Sequence, residues 1–452
     1  MKNFSHLFKD INNLQKITLT LLLFLPLALT TSIFIADLFA SIIAIITISW
    51  IINDKSLSGP LKFLKKPIFI IFSFYLIIIL SLIFSTNLSK SFLPSFFYFR
   101  YFLLSLGFFI LIYNFNFTLK LTLISLLLLL ILISLDSIIE FLKIKKIFGL
   151  TLPDSRVNTG TAYFLTSFFD DEKKLGSFLI RILPLILSLL ILLDFKILKK
   201  IDSKLLVIIL VGILIFLSSE RVAFFLFLFF FIFSLKVLNN RLTILLFVIF
   251  SLTFLSFAQP RIYAKYVYAT LAQFNLIDFY YVYDKEGNFK SIIDNLDFSN
   301  VYYISEEHQK LAKSGIEIFK ENPITGSGIK TYHRYCKNLK EKKSLDIKCS
   351  SHPHNTYIQI ASDIGIFGLI IISIIFLYIL LLNIKILFTK NLSTIKKSFY
   401  ILNLGIIINL MPFIPSGSFF NNWMNLMFYF PLGLWLYLYY QLNSQNKINE
   451  NI

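Results

Sequence analysis

The chain has 452 residues, of which 57% are hydrophobic and 15% charged, and its mean hydropathy of +0.76 lies far outside that of soluble domains, so its solvent is a bilayer. The formal charge of +18 raises nucleic acid as a partner, but the lysines sit in short loops between apolar runs, where they orient membrane spans, and no nucleic acid is expected. His and Arg are scarce, so their positions carry more information than those of the abundant lysines.

Residues 17–52 form one apolar tract, nearly twice the ~20 residues that cross a bilayer, which is expected to break near Asp37 into two helices. Apolar spans continue downstream without a small-residue cleavage site, so the tract does not read as a cleaved signal peptide. Further spans are expected at 67–84, 92–113, 121–142, 176–194, 205–218, 222–238 and 242–258, then at 356–383, 398–411 and 423–441. The reading is an all-α polytopic membrane protein of about 12 transmembrane helices. Lys55, Lys62, Lys65 and Lys66, then Lys196, Lys199, Lys200 and Lys204, then Lys385, Lys390, Lys396 and Lys397 fall on one side with the N-terminus. The positive-inside rule makes that side cytoplasmic. Segments 143–175 and 259–353 are then external, the first mixing basic residues with Asp154, Asp170, Asp171 and Glu172. The chain divides into transmembrane helices 1–9 (1–258), a periplasmic loop domain with short helices (259–353), helices 10–12 (354–441) and a cytoplasmic tail (442–452).

In the long loop, Ser305 with Glu306 and Glu307 starts a helix and Asn322-Pro323 stops it, giving 306–321; the turn 323–328 follows. A long ordered loop of this kind is usually functional. His354-Asn355 stands at the mouth of span 10, where Asn355 can cap the helix and its free amides face outward. The positive helix end favours a neutral His354 able to accept a proton. Asn355, Gln359 and Asp363 follow at i, i+4 and i+8, a polar stripe that faces either a cavity or another helix. His352 and His354 with Cys336 and Cys349 read as a Cys2His2 zinc site or, since external cysteines pair, as a disulfide beside two histidines; the disulfide is expected and no metal.

Arg100 and Arg181 lie roughly 12 and 7.5 Å inside spans that start outside, and Arg221 lies in an external connection. Buried arginines default to function, here at the level of a lipid-linked phosphate. The structural alternative is pairing of Arg100 or Arg181 with Asp136 or Glu140.

His354-Asn355, nine residues, Gly365, two residues and Gly368 resemble the signature of the O-antigen ligase and polymerase family. Leu135-Asp136 with Glu140, Gly176-Ser177, Glu220-Arg221-Val222-Ala223 and Asn322 through Gly328 are similar to further family segments in the same order. The resemblance covers most of the chain. It implies a GT-C-like, metal-independent, inverting glycosyltransferase of lipopolysaccharide biosynthesis, without cofactor, in the bacterial inner membrane and facing the periplasm. The donor would be a glycan on undecaprenyl diphosphate; the acceptor, lipid A-core for a ligase or another lipid-linked repeat for a polymerase. His354 would be the base and Arg221 a diphosphate ligand, with Arg334, Arg156, Arg100 and Arg181 as further candidates. Where the family often carries another arginine, this chain has Glu306-Glu307-His308, so His308 or Arg334 would substitute; Asp363 stands where glutamate is usual. A protein O-glycosylating enzyme and, from another class, a transporter are the competing readings; against the transporter stand the absence of repeated halves and the polar residues near one face.

Overall fold

The computed structural model describes residues 11–142, 146–147, 150–151, 165–169, 172–197, 202–239, 241–283, 289–296, 298, 301–302 and 304–450. Helices α1 (Asn13–Thr31) and α2 (Ile33–Asn53) open the chain. The break falls at Ser32, which caps α2 through its side chain, and not near Asp37, which lies inside α2. A short α3 (Ser58–Phe63) leads to α4 (Lys65–Ile83), and the span expected at 92–113 becomes a bent pair, α5 (Leu88–Phe96) and α6 (Phe99–Asn114). Then come α7 (Phe117–Phe141), α8 (Leu175–Leu193), α9 (Ser203–Ser218), α10 (Arg221–Ser234) and α11 (Arg241–Ala258). Among the described residues, eight helices are long and apolar enough to cross a membrane, and α9 and α10 are shorter apolar helices.

The segment 259–353 is not built of helices alone. After α12 (Pro260–Tyr266) and α13 (Tyr268–Gln273), strands β3 (Ile277–Tyr283) and β4 (Phe289–Leu296) pair antiparallel; a smaller ladder, β1 (Lys146–Ile147) with β2 (Leu150–Thr151), lies in the earlier segment. The run Tyr280-Tyr281-Val282-Tyr283 has the aromatic and β-branched content of a strand, and this overrides the expectation of helices only. Helix α14 (Glu306–Glu321) is capped by Ser305, whose side chain accepts from His308 N. It is followed by α15 (Tyr332–Lys343), α16 (Thr356–Phe388), α17 (Thr394–Asn409) and α18 (Asn422–Glu450).

Helix α8 is the hub, buried along almost all of its length. Apolar packing alone gives little preference for one helix contact over another in lipid, and here polar pairs fix the choice. Ser188 and Ser398 hydroxyls each donate to the other's carbonyl, at 3.2 and 3.0 Å, joining α8 to α17, and Trp435 Nε1 donates to Asn403 Oδ1 at 2.6 Å, joining α18 to α17.

The feature that positions the site is a break in α16. Gly365 has φ 77° and ψ −170°, a conformation open essentially only to glycine. Breaking the helix leaves carbonyls to be satisfied, and the turn 323–328 supplies donors: Ser327 N binds Ser362 O at 2.8 Å and Gly328 N binds Asp363 O at 2.9 Å. In return Ile366 N binds Pro323 O at 2.8 Å, and Ser81 Oγ from α4 adds a bond to Asp363 O at 2.8 Å. The expected straight span is thus a short helix, a break and a long helix. A Cβ on Gly365 would stand 2.1 Å from Ile324 O. Gly365→Ala is expected to cost at least about 3 kcal/mol of stability, combining forbidden dihedrals with backbone overlap. Thermal melting of the purified variant checks this; an unchanged midpoint would mean that the junction rearranges at no cost.

Candidate functional site

The site begins from the cap of α16. Asn355 has extended backbone, its Oδ1 accepts from Tyr357 N at 3.0 Å and Ile358 N at 3.1 Å, and its Nδ2 donates to Pro412 O at 2.7 Å. The residue before it, His354, has φ 55°, left-handed backbone that costs energy for a residue with a Cβ. Its carbonyl accepts from Ser416 N at 2.9 Å, which holds the backbone in place. Gln359 continues the same tie: Nε2 donates to Ser418 Oγ at 3.0 Å and Oε1 accepts from Phe419 N at 2.8 Å. Asn355 and Gln359 of the stripe therefore bind chiefly the connection from α17 to α18 rather than lining a cavity. Gln359 Nε2 also reaches Asp363 Oδ2 at 3.2 Å, while Asp363 Oδ1 is buried with no partner among the described residues.

Three imidazoles meet above this platform. The rings of His352 and His354 lie 4.0 Å apart between centroids, and those of His308 and His354 5.9 Å apart. His352 is buried and fully engaged: Nε2 donates to Ser416 O at 3.3 Å, so Nδ1 accepts from Ser351 Oγ at 2.9 Å. Burial, then the neighbouring His354, push its pKa down to about 4. His308 sits in the first turn of α14 with Nδ1 2.7 Å from Ser305 Oγ; burial lowers its pKa, Glu307 opposes this, and the nearby charges of Arg221 and Lys348 lower it further. His354 is half-buried and its ring makes no hydrogen bond among the described residues. Burial and His308 hold its pKa below the usual histidine value. At neutral pH it is an unprotonated base.

On the His308 side the chain gathers cations. Glu220 accepts from Gly176 N at 2.6 Å and Ser177 N at 3.0 Å, capping α8 and fixing the start of α10, where Arg221 follows. Gly176 is required for that approach, since a Cβ there would lie 2.6 Å from Ser218 Oγ. Arg221 Nη1 donates to Ala269 O at 3.0 Å, and Tyr266 OH donates to the carbonyls of Ile215 and Phe216 at 3.1 and 3.0 Å. Helices α12 and α13 are thereby clamped over the α9–α10 connection, which brings in Lys265. Burial first, then Lys173 and Arg221, push Lys265 down to about 8 against the pull of Glu220. Lys265 and Lys173 escaped the sequence reading because nothing distinguishes them from the other basic residues, 43 Lys and Arg in all. Pro260 at the helix start was the one signal that the chain folds back there.

The remaining arginines separate. Arg100 is committed: Nε and Nη2 donate to Asp37 Oδ1 and Oδ2 at 3.0 and 3.1 Å, and Nη1 donates to Phe97 O at 2.7 Å. Its partner is Asp37, not Asp136 or Glu140. Glu140 instead accepts from Thr166 N at 3.0 Å and Ser167 N at 2.8 Å. Arg181 is buried in α8, 7% exposed, with Nη1 donating to Ser177 O at 3.0 Å. Arg334 is exposed on α15, and Arg156 lies outside the described residues. Cys336 and Cys349 form a disulfide, which removes both sulfurs as zinc ligands and ties α15 to the irregular segment entering the histidines.

Residues 205–373, from α9 through the break in α16, match the family model described as O-antigen ligase. No curated protein matches the chain.

Proposed function

Because residues 205–373 of this chain belong to the O-antigen ligase family, a family of multi-pass membrane glycosyltransferases of the ligase and polymerase type, we propose that the protein transfers a glycan from undecaprenyl diphosphate to a hydroxyl of lipid A-core. The observation that carries this reading is the pairing of an unprotonated, half-buried His354 with a cation group of Arg221, Lys265 and Lys173 on the other side of His308. In the proposed reaction the acceptor oxygen attacks the anomeric carbon while His354 takes its proton, and the bond from that carbon to phosphate oxygen breaks. Undecaprenyl diphosphate leaves with the bonding electrons, and attack from the opposite face inverts the centre. Arg221 and Lys265 stabilise the charge that develops on the diphosphate as it departs. Arg100 holds α2 to α6 and takes no part, and Arg181 supports the Glu220 cap. No metal is needed, since the cations supply the charge that a metal would otherwise provide.

In this reading the shorter helices and α17 and α18 also cross the membrane, which gives twelve spans with the histidine end in the periplasm. A lipopolysaccharide gel of a deletion strain tests the choice of acceptor. Complete core without O-chain, with long lipid-linked polymer accumulating, is the expected result; core carrying a single repeat would make the protein a polymerase instead.

A further inference from the structure

Helices α10 and α16 both start at the histidine end, at Arg221 and Thr356, and finish at Ser234 and Phe388. Their far ends, with the starts of α11 and α17, wall a cavity of about 740 Å³. Four cations line it, Lys236, Arg241, Lys390 and Lys397, together with the amides of Asn239 and Asn391 and no carboxylate among the described residues. Arg241 is fixed in place, its Nη2 donating to Lys236 O at 2.9 Å. Ser393 caps α17, so the positive end of that helix faces the same space. A concave site with this charge selects an anion.

The flank of the cavity tells which kind. Phe388 is 79% exposed, and Leu242 and Phe250 on α11 are each 69% exposed, an apolar face running away from the cations along the helix. A free phosphate would use the cations and leave that face uncovered, whereas a phospholipid matches both. We propose that this cavity holds the headgroup phosphate of an anionic bilayer phospholipid, with its acyl chains along α11 and against Phe388. Basic pockets between helix ends at a membrane surface bind such headgroups, each cation adding to the attraction. The inference is independent of the reaction at His354.

The test is affinity of the purified full chain in detergent for phosphatidylglycerol, phosphatidylcholine of the same chains, and inorganic phosphate, read by native mass spectrometry and thermal melting. Lys236→Gln/Lys397→Gln is expected to weaken phosphatidylglycerol binding by roughly 30-fold, and Lys390→Gln alone by roughly fivefold. Lys236→Arg/Lys397→Arg should retain it. The control is Lys62→Gln/Lys65→Gln: Lys65 starts α4, whose other end bonds the Gly365 junction through Ser81, so these lysines share the end of the bundle but not the cavity. They are expected to change affinity by less than about twofold, as a merely basic surface would not discriminate. Equal losses in the two lysine pairs, or phosphatidylcholine bound as tightly as phosphatidylglycerol, would overturn the proposal. So would inorganic phosphate binding as tightly as the lipid, which would assign the cavity to a free anion.

Discussion

Arg221→Lys is expected to lower donor turnover by roughly 30- to 1000-fold, the loss of about 2 to 4 kcal/mol of transition-state stabilisation in a low-dielectric site. The charge is kept, so the effect isolates geometry. A guanidinium offers two phosphate oxygens a planar fork, and Arg221 is oriented by its bond to Ala269 O and by its place directly after Glu220, which is itself held by two amides of α8. An ammonium on a flexible stem reproduces neither the fork nor the orientation. Turnover of purified protein in nanodiscs, with folding followed by thermal melting, measures the effect. The contrast is Arg100→Lys, which breaks a two-bond contact to Asp37 and is expected to lower the melting temperature while the folded fraction keeps its turnover. Normal turnover by Arg221→Lys would remove this residue from the diphosphate site.

Much of the local structure was legible from residue types alone. Ser305 and Asn322-Pro323 bounded α14 at Glu306 and Glu321, because caps and proline act within a few residues of where they stand. His354-Asn355 marked a helix start for the same reason, with Asn355 as the cap. What failed to show was contact between segments far apart in sequence. The stripe of Asn355 and Gln359 was ambiguous between cavity and packing, and only the position of 412–419 decides it. Gly365 gave no sign of a break, since a glycine in an apolar helix is common in membranes; the break exists because 323–328 arrives with amide donors. Arg100 read as a diphosphate candidate, with Asp136 or Glu140 as the alternative partners for it or Arg181; its acid is Asp37, since periodicity cannot say which span is the neighbour. Lys265 joined the cations through the fold of α12 and α13, a placement with no sequence signature in a lysine-rich chain.

The other large effect is at His354. Its replacement by Ala or Asn is expected to reduce transfer by roughly 10²- to 10⁴-fold, the range of a positioned general base. Asn is the more telling substitution, because it tolerates the left-handed backbone that His354 adopts and so separates loss of the base from strain. The pH profile carries a second signature. In the proposed reaction the active form of His354 is the unprotonated one, and its pKa is lowered from the usual 6.5, so activity is expected to be retained through neutrality and to fall only as the pH drops through that lowered value. On the alkaline side the role proposed for Lys265 requires its protonated form, and with its pKa at about 8 the donor KM is expected to rise as the pH passes that point. Lys265→Arg should remove this alkaline rise and leave the acid limb unchanged.

The most direct measurement is transfer by the purified chain in proteoliposomes, supplied with an undecaprenyl-diphosphate-linked glycan and lipid A-core, with glycosylated core and released undecaprenyl diphosphate counted together. Equal amounts of the two products from wild type, and loss of both with His354→Asn in protein that melts normally, is the predicted result. Transfer by His354→Asn at the wild-type rate, or movement of intact lipid-linked glycan across the bilayer without cleavage, would contradict it.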